Sequence, residues 1–153
     1  DVYKRQGIGY HFYIRRNGDI KSTRSVGRVG VHARGHNANS IGICYEGGLD
    51  CHGLAKDTRT EWQKHSLRVL VRALKMDYPE ARVVGHRDLS PDVNGNGEVE
   101  PMEWTKECPC FKVGEEGCYH LSFPHIKTNV SFVLFSYITV SNLLSSDNRK
   151  VCG

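Results

Sequence analysis

The chain has 153 residues, which is enough for one ordinary domain around a single hydrophobic core and too few for a second full domain. It is 39% hydrophobic and 25% charged, and it lacks the run of about eighteen apolar residues that a membrane-spanning helix needs. The formal net charge of +4 comes from basic residues scattered among acids, without the block of like charge that is typical of a nucleic-acid-binding arm. We therefore expect a soluble monomer that binds no nucleic acid and spans no membrane.

The first elements along the chain are two extended segments joined by a turn. Residues 7–14 are rich in aromatic and β-branched residues, and a second extended run covers residues 20–25. Asn17 and Gly18 lie between them and form a pair that favours a tight turn, so the pattern predicts a β-hairpin. Residues 26–39 carry Gly, His and Asn without periodicity, which predicts a long surface loop.

The middle of the chain alternates short strands with one long helix. Residues 40–46 form a short apolar run, which predicts a buried strand. A helix is predicted to begin at Thr60, because Thr60 and Gln63 form a capping-box pair. The apolar residues that follow at helical spacing are Leu67, Leu70, Val71, Leu74 and Tyr78. Residues 81–85 predict another strand, which delivers His86 at its end. This order predicts an α/β fold with a mixed central sheet flanked by helices.

The two ends of the chain give weaker signals. Residues 130–140 have strong β character and are interpreted either as a terminal strand or as non-native sequence, so residues 113–153 are treated as a tail of uncertain structure. Residues 1–6 match the peptide that a sequencing-library transposon end encodes when it is read in frame. We interpret them as an adapter-derived artefact, with natural sequence beginning near Gly7.

Six unevenly spaced cysteines are too few to indicate a disulfide scaffold in a chain of this length. Cys44 and Cys51 are a candidate pair if the protein is exported. His86 and Cys108 are a candidate metal-binding pair, because a strand-end imidazole and a thiolate 22 residues further on are donors that zinc accepts. That pair alone is weak evidence, since a single His is more often structural.

Four motifs in a fixed order strengthen the zinc interpretation. They are GYHF at residues 9–12, HARGHNANSIGI at residues 32–43, GHRD at residues 85–88 and KECPCF at residues 106–111. Together they resemble the type-2 N-acetylmuramoyl-L-alanine amidase family, which includes phage lysozymes of the amidase type and is similar to peptidoglycan-recognition proteins. The resemblance covers residues 7–112 and defines the expected amidase domain.

The resemblance implies a catalytic zinc held by two His and one Cys, with an open fourth position. His86 and Cys108 match the second His and the Cys. The remaining family ligand is a His on an upstream strand, and no residue here matches it, so we expect that first strand to be missing and zinc to bind poorly. We do not expect His11, His32 or His36 to replace the absent ligand.

The resemblance also implies roles for four further side chains. Tyr10 and Lys106 match the family's catalytic Tyr and Lys, so Tyr10 would supply a phenolic hydrogen bond and Lys106 a positive charge and a proton for the leaving amine. His32 and Asn39 match positions in the groove that binds the glycan and peptide. Cys110 stands where the family often has Ser, and we prefer a free, half-buried thiol there to a competing metal ligand or a disulfide with Cys118.

An insert between the two zinc ligands fits the pattern of a calcium-binding loop. Residues 92–103 place oxygen-bearing side chains and a turn glycine at the spacing of that motif. The candidate ligands are Asp92, Asn94, Asn96, Glu98 and Glu103. Pro91 denies the loop its usual entering helix, so a polar turn without a cation remains the alternative, and any calcium would have a structural role.

These observations predict a zinc-dependent amidase of bacterial or phage origin that hydrolyses the amide between the lactyl group of N-acetylmuramic acid and L-alanine in peptidoglycan. We expect the present chain to be inactive, because one zinc ligand lacks a match. The alternative is a non-catalytic peptidoglycan-binding module. The compartment is open between extracellular, periplasmic and release as a phage lysin.

Overall fold

The computed structural model describes residues 8–116 and 131–137. The strands within these residues form one five-stranded mixed sheet. The elements are β1 (Phe12–Ile14), β2 (Ile20–Ser22), β3 (Ser40–Glu46), α1 (Glu61–Asp77), β4 (Arg82–Gly85) and β5 (Ser131–Tyr137). The strands lie in the order β2-β1-β3-β5-β4, and only the β1–β2 pair is antiparallel. The predicted α/β class with a mixed sheet is confirmed. The suggestion that residues 1–6 are an adapter falls outside the described residues.

The predicted hairpin is present but shorter than the sequence pattern. β1 and β2 pair antiparallel, with Tyr13 opposite Lys21. The turn between them places Gly18 at a φ of 90°, a conformation that glycine adopts at little cost. The long segment between β2 and β3 is irregular, as predicted, apart from a single 3-10 turn at Asn37–Asn39.

Helix α1 begins as predicted, and the glutamine of its capping box anchors it to the sheet. Thr60 is the N-cap, and it exchanges hydrogen bonds with Gln63 in both directions. The Gln63 side chain is fully buried, and its amide also donates to the carbonyls of Ile14 and Glu46 at the ends of β1 and β3. One side chain therefore fixes where the helix starts relative to two strands.

The C-terminal strand β5 is inserted inside the sheet rather than at its edge. It pairs parallel with β3 on one side and with β4 on the other. Its central residues Phe132, Val133 and Leu134 are almost completely buried. The run therefore forms a strand over residues 131–137, and its interpretation as native or non-native sequence stays a hypothesis.

The strand β3 separates two apolar clusters. The larger one lies between the sheet and α1, and it includes Ile43, Tyr45 and Leu70. The smaller one surrounds Cys44 and Val133 on the other face. Within the described residues, no helix has both the length and the apolar character to cross a membrane.

The candidate disulfide between Cys44 and Cys51 is wrong. Cys44 is a free thiol buried within β3, whereas Cys51 is disulfide-bonded to a different cysteine. The physical reason is position, because an inward-facing side chain of a central strand lies beneath the sheet surface. Cys110 is half-buried and is not part of a disulfide, as preferred from the sequence.

Candidate metal and catalytic site

The two candidate zinc ligands are adjacent in the structure. Strand β4 ends at Gly85, and the chain then turns through the 3-10 segment His86–Leu89. The Nδ1 atom of His86 lies 3.1 Å from the Sγ atom of Cys108. The backbone N–H of Arg87 donates to the Cys108 carbonyl at 2.9 Å, which ties the two segments together.

Close packing beneath this pair depends on a glycine. A Cβ atom built on Gly85 would lie 2.6 Å from a ring carbon of Pro109, so no larger residue fits there without movement. The backbone N–H of Gly85 also donates to Asp88 at 2.7 Å, which fixes the turn that carries His86. The sequence thus brings imidazole and thiolate together by a short turn and a close backbone approach.

The donor pair fits zinc in chemistry and nearly in distance. With usual Zn–N and Zn–S bond lengths and a tetrahedral angle, the two donor atoms would stand about 3.6 Å apart. The observed 3.1 Å between His86 and Cys108 is slightly shorter, so a small opening would admit the ion. Burial and the nearby Lys106 charge lower the pKa of His86, which favours the neutral imidazole that a metal requires.

A complete three-ligand set is not present in the described part of the chain. Within residues 8–116 and 131–137, no group of three or more His, Cys, Asp or Glu side chains is arranged to hold a metal ion. His11 is engaged elsewhere, since its Nδ1 accepts from the Gly42 N–H and its Nε2 donates to the Arg28 carbonyl. Both ring nitrogens of His11 are therefore hydrogen-bonded, and its exclusion from the ligand set stays a prediction.

Tyr10 and His32 pack together beside the His–Cys pair. Their rings stack at a centroid distance of 6.3 Å and an interplanar angle of 19°. Tyr10 and Cys108 both contact the small cluster formed around Cys44 and Val133, so the phenol and the thiol share one face of the sheet. The candidate catalytic tyrosine therefore lies on the same face as the candidate metal ligand.

Two glycines make room for the His32 ring. A Cβ atom on Gly30 would lie 2.3 Å from a carbon of this ring, and one on Gly42 would lie 2.6 Å from the same carbon. The His11 ring meets His32 edge-on at 5.5 Å. His32 is consequently held between a loop and strand β3 rather than extended into solvent.

Electrostatics keep His32 neutral. Burial lowers its pKa to about 4, with further lowering by His11 and His86. Lys106 is exposed and contributes to the lowered pKa of His86, so its ammonium lies within electrostatic reach of the pair. These side chains therefore lie near one another: Tyr10, His32, His86, Cys108 and Lys106. An anion bound among them would lie close to the Lys106 ammonium, and the imidazoles would be uncharged.

The loop before β3 contains a positioning residue that the sequence did not single out. The Asn37 side-chain oxygen accepts from the backbone N–H groups of His32 and Ala33, both at 2.8 Å. An Asn in a Gly-rich loop commonly binds nearby amides, and that signal was available. Asn39 is exposed at the end of the same loop, and its side chain makes no hydrogen bond in the described part of the chain.

The insert at residues 92–103 folds around its own polar side chains. Asp92 accepts from the backbone N–H groups of Gly95 and Gly97, and the Asn94 and Asn96 side chains each accept from a loop amide. Glu103 is largely buried and accepts from the amides of Val93, Asn94 and Glu100, which lower its pKa. Glu98 is exposed. The two ends of the loop therefore meet, whereas calcium binding stays a prediction.

The segment that carries Cys108 rests on a layer of aromatic and charged side chains. The Tyr45 hydroxyl donates to the Pro109 carbonyl at 2.6 Å, and the Tyr45 and Phe111 rings pack at 6.2 Å. The Arg59 guanidinium lies 3.3 Å from the centre of the Phe111 ring and bonds to carboxylates on both sides. No local sequence pattern indicates this layer, because its members are far apart along the chain.

Comparison with known proteins gives consistent matches. The family model described as N-acetylmuramoyl-L-alanine amidase matches residues 1–110. An "Uncharacterized protein" of Haemophilus influenzae is 47% identical over 97 residues, which are 63% of this chain and 84% of that protein. The endolysin of Klebsiella phage KP32 is 39% identical over 112 residues, covering 71% of this chain and 65% of the endolysin.

Further matches have the same character. The endolysin of Escherichia phage T7 is 40% identical over 112 residues, and the chain again spans 65% of that protein's length. Among solved structures, the N-acetylmuramoyl-L-alanine amidase LysC from Clostridium intestinale URNW is 36% identical, with a TM-score of 0.46. That likeness covers 62% of this chain and 60% of the LysC chain.

Proposed function

Because the chain belongs to the N-acetylmuramoyl-L-alanine amidase family, we propose that it carries the active site of a zinc-dependent hydrolase of peptidoglycan. The bond cut would be the amide between the lactyl group of N-acetylmuramic acid and L-alanine of the stem peptide. The observation that supports this most directly is the 3.1 Å approach of His86 Nδ1 to Cys108 Sγ. The match also confirms the family that the four sequence motifs predicted.

His86 and Cys108 would hold zinc, which supplies Lewis acidity toward the scissile carbonyl when it is bound. Tyr10 would donate its phenolic proton in a hydrogen bond to the oxygen that becomes negative as water adds to the carbonyl. Lys106 would stabilise the same charge and deliver a proton to the nitrogen as the carbon–nitrogen bond breaks. The stacking of Tyr10 on His32 and the electrostatic reach of Lys106 support these roles.

His32 and Asn39 would contact the substrate. With its pKa lowered to about 4, His32 stays uncharged at neutral pH, which suits contact with a neutral sugar or peptide group. Asn39 is exposed on the same loop and offers an amide that can both donate and accept hydrogen bonds.

The first test is metal binding by the 153-residue chain. Zinc titration against a chromophoric chelator should reveal binding that His86→Ala and Cys108→Ser each abolish, because each substitution removes one of the proposed ligands. Cys110→Ser is the matched control, since Cys110 is a neighbouring cysteine outside both the proposed ligand set and any disulfide. Zinc binding that survives both ligand substitutions would refute the site.

The second test is peptide release from purified peptidoglycan with zinc in excess. New L-alanine amino termini that disappear with chelator and in Cys108→Ser would establish amidase activity. Binding to peptidoglycan without any release at saturating zinc would instead favour the non-catalytic binding module.

Calcium at residues 92–103 is a separate proposal with a structural role. The loop ends meet at Glu103, whose carboxylate already accepts three backbone amides. Isothermal titration with calcium should release or absorb heat in the parent chain and not in Asp92→Ala. An absence of heat at millimolar calcium would leave the insert as a polar turn.

A further inference from the structure

Tyr45 is a buried residue of β3 that no motif or proposed reaction step uses. Its side chain is almost fully inaccessible, and it lies on the face of β3 that packs against α1. Its hydroxyl nevertheless reaches the segment that carries Cys108, donating to the Pro109 carbonyl at 2.6 Å. The two residues are 64 positions apart, so this bond joins the sheet directly to the proposed ligand segment.

Three further hydrogen bonds among the described residues join this segment to itself or to the turn that carries His86. The Cys110 N–H donates to the Glu107 carbonyl within the same turn. Arg87 donates through its backbone N–H to the Cys108 carbonyl and through its guanidinium to the Phe111 carbonyl. Those bonds can move together with the His86 turn, whereas the Tyr45 bond is fixed to a central strand of the sheet.

Several features make the Tyr45 hydroxyl a permanent donor. Burial raises the pKa of Tyr45, so the phenol keeps its proton at neutral pH. Its ring packs on Phe111, which in turn lies under the Arg59 guanidinium. Arg59 is held by Asp57 at 2.8 Å and Glu116 at 2.7 Å, so the phenol cannot tilt without disturbing an ion-pair network.

We propose that Tyr45 is a positioning residue for Cys108, fixing the Pro109 carbonyl so that the thiol faces the His86 imidazole. The thiol is one residue from the fixed carbonyl, and the neighbouring Pro109 ring packs against Gly85. Hydrogen-bonded partners of a metal ligand commonly change metal affinity 10- to 100-fold, roughly, when they are removed. The consequence for zinc rests on the proposed function, but the placement of the thiol does not.

The test compares Tyr45→Phe with Tyr78→Phe in the full 153-residue chain. Tyr78 is the matched control, because it is a partly buried tyrosine packed against the same core and its hydroxyl makes no hydrogen bond in the described residues. The first measurement is the rate at which iodoacetamide alkylates Cys108, read by peptide mass spectrometry with buried Cys44 as an internal reference. The second is zinc affinity, with the thiolate-to-cobalt absorption of the Co²⁺ form as a spectroscopic signature.

We expect Tyr45→Phe to bind zinc about 10-fold more weakly, to alter the cobalt absorption and to speed alkylation of Cys108 but not of Cys44. Tyr78→Phe should match the parent in all three measurements. Incorporating p-aminophenylalanine at position 45, which restores a donor at the same place, should restore the parent values. Measurements are made well below the lower melting temperature, so that a general loss of stability does not imitate the effect.

The outcomes separate this inference from the proposed function. If the parent chain takes up no zinc, the proposed function fails and the alkylation rates alone decide the role of Tyr45. If Tyr45→Phe alkylates at Cys108 as slowly as Tyr78→Phe does, the inference is overturned whatever zinc does. If alkylation rises but zinc affinity is unchanged, Cys108 is positioned by Tyr45 but is not a zinc ligand.

Discussion

The space that two glycines leave for His32 leads to a quantitative prediction for Gly42→Ala. The added methyl carbon would stand 2.6 Å from a carbon of the His32 ring, whereas carbon atoms in contact prefer about 3.5–4.0 Å. The ring would have to retreat by about 1 Å, and Gly30 already lies against it. Overpacking of this kind costs about 1–3 kcal/mol.

A favourable effect offsets part of that cost. Replacing a glycine within a strand by alanine gains about 0.5–1 kcal/mol, because the unfolded chain loses conformational freedom. At the midpoints of these two ranges, the net destabilisation for Gly42→Ala is about 1 kcal/mol, or a melting temperature lower by about 2–4 °C in a chain of this size. Thermal unfolding followed by circular dichroism is the measurement.

Two companion variants isolate the contact with His32. Gly114→Ala is the matched control, because its added methyl has no neighbour within 4 Å and its φ is not positive, so it should not lower the melting temperature. The double variant Gly42→Ala with His32→Ala should recover most of the loss, giving a coupling energy of about 1–2 kcal/mol. Additive single and double effects would refute the idea that the two groups collide.

Three further predictions concern burial and charge. Gln63→Leu should lower the free energy of unfolding by about 3 kcal/mol in urea titrations, since it removes three hydrogen bonds worth about 1 kcal/mol each. A loss below about 1 kcal/mol would contradict this prediction. The pKa of His32 is lowered to about 4, below its unfolded value near 6.5, so the unfolded chain takes up a proton that the folded chain refuses. The free energy of unfolding should therefore fall as the pH drops from about 6.5 towards 4, and it should fall less steeply in His32→Phe. Equal pH dependence in the parent chain and in His32→Phe would argue against a buried, neutral His32. Arg59→Met should lower the free energy of unfolding by about 2 kcal/mol, because it removes the cation that pairs with Asp57 and Glu116. The loss is limited because both carboxylates keep some solvent contact. An unchanged urea midpoint would disprove this prediction.

Local sequence signals were sufficient for most of the elements. β3 covers Ser40–Glu46, the same residues as the predicted strand, because a short apolar run bounded by a polar loop and two glycines has few other stable states. Helix α1 starts after Thr60 because the capping box satisfies free N–H groups at that point. The hairpin follows from the Asn17-Gly18 turn.

Pairing between distant segments could not be predicted in the same way. The β character of residues 131–137 was visible, but their insertion between β3 and β4 depends on partners that lie 49 or more residues away in the chain. The same limit applies to Tyr45, which in sequence is one more aromatic residue in an apolar run, and whose partner Pro109 lies 64 positions further on. The ordered motifs identified His86 and Cys108, whereas the residues that hold them in place were found only from contacts.

Strand β3 explains why the candidate site and the core depend on each other. Side chains alternate along a strand, so Gly42 and Cys44 face the cluster that includes Tyr10 and Cys108, while Ile43 and Tyr45 face the core beneath α1. A shift of one residue in the pairing of β3 would exchange these two faces. It would bury the small residues in the core and place the bulky ones against His32, so the register that packs the core is also the register that leaves room for the site.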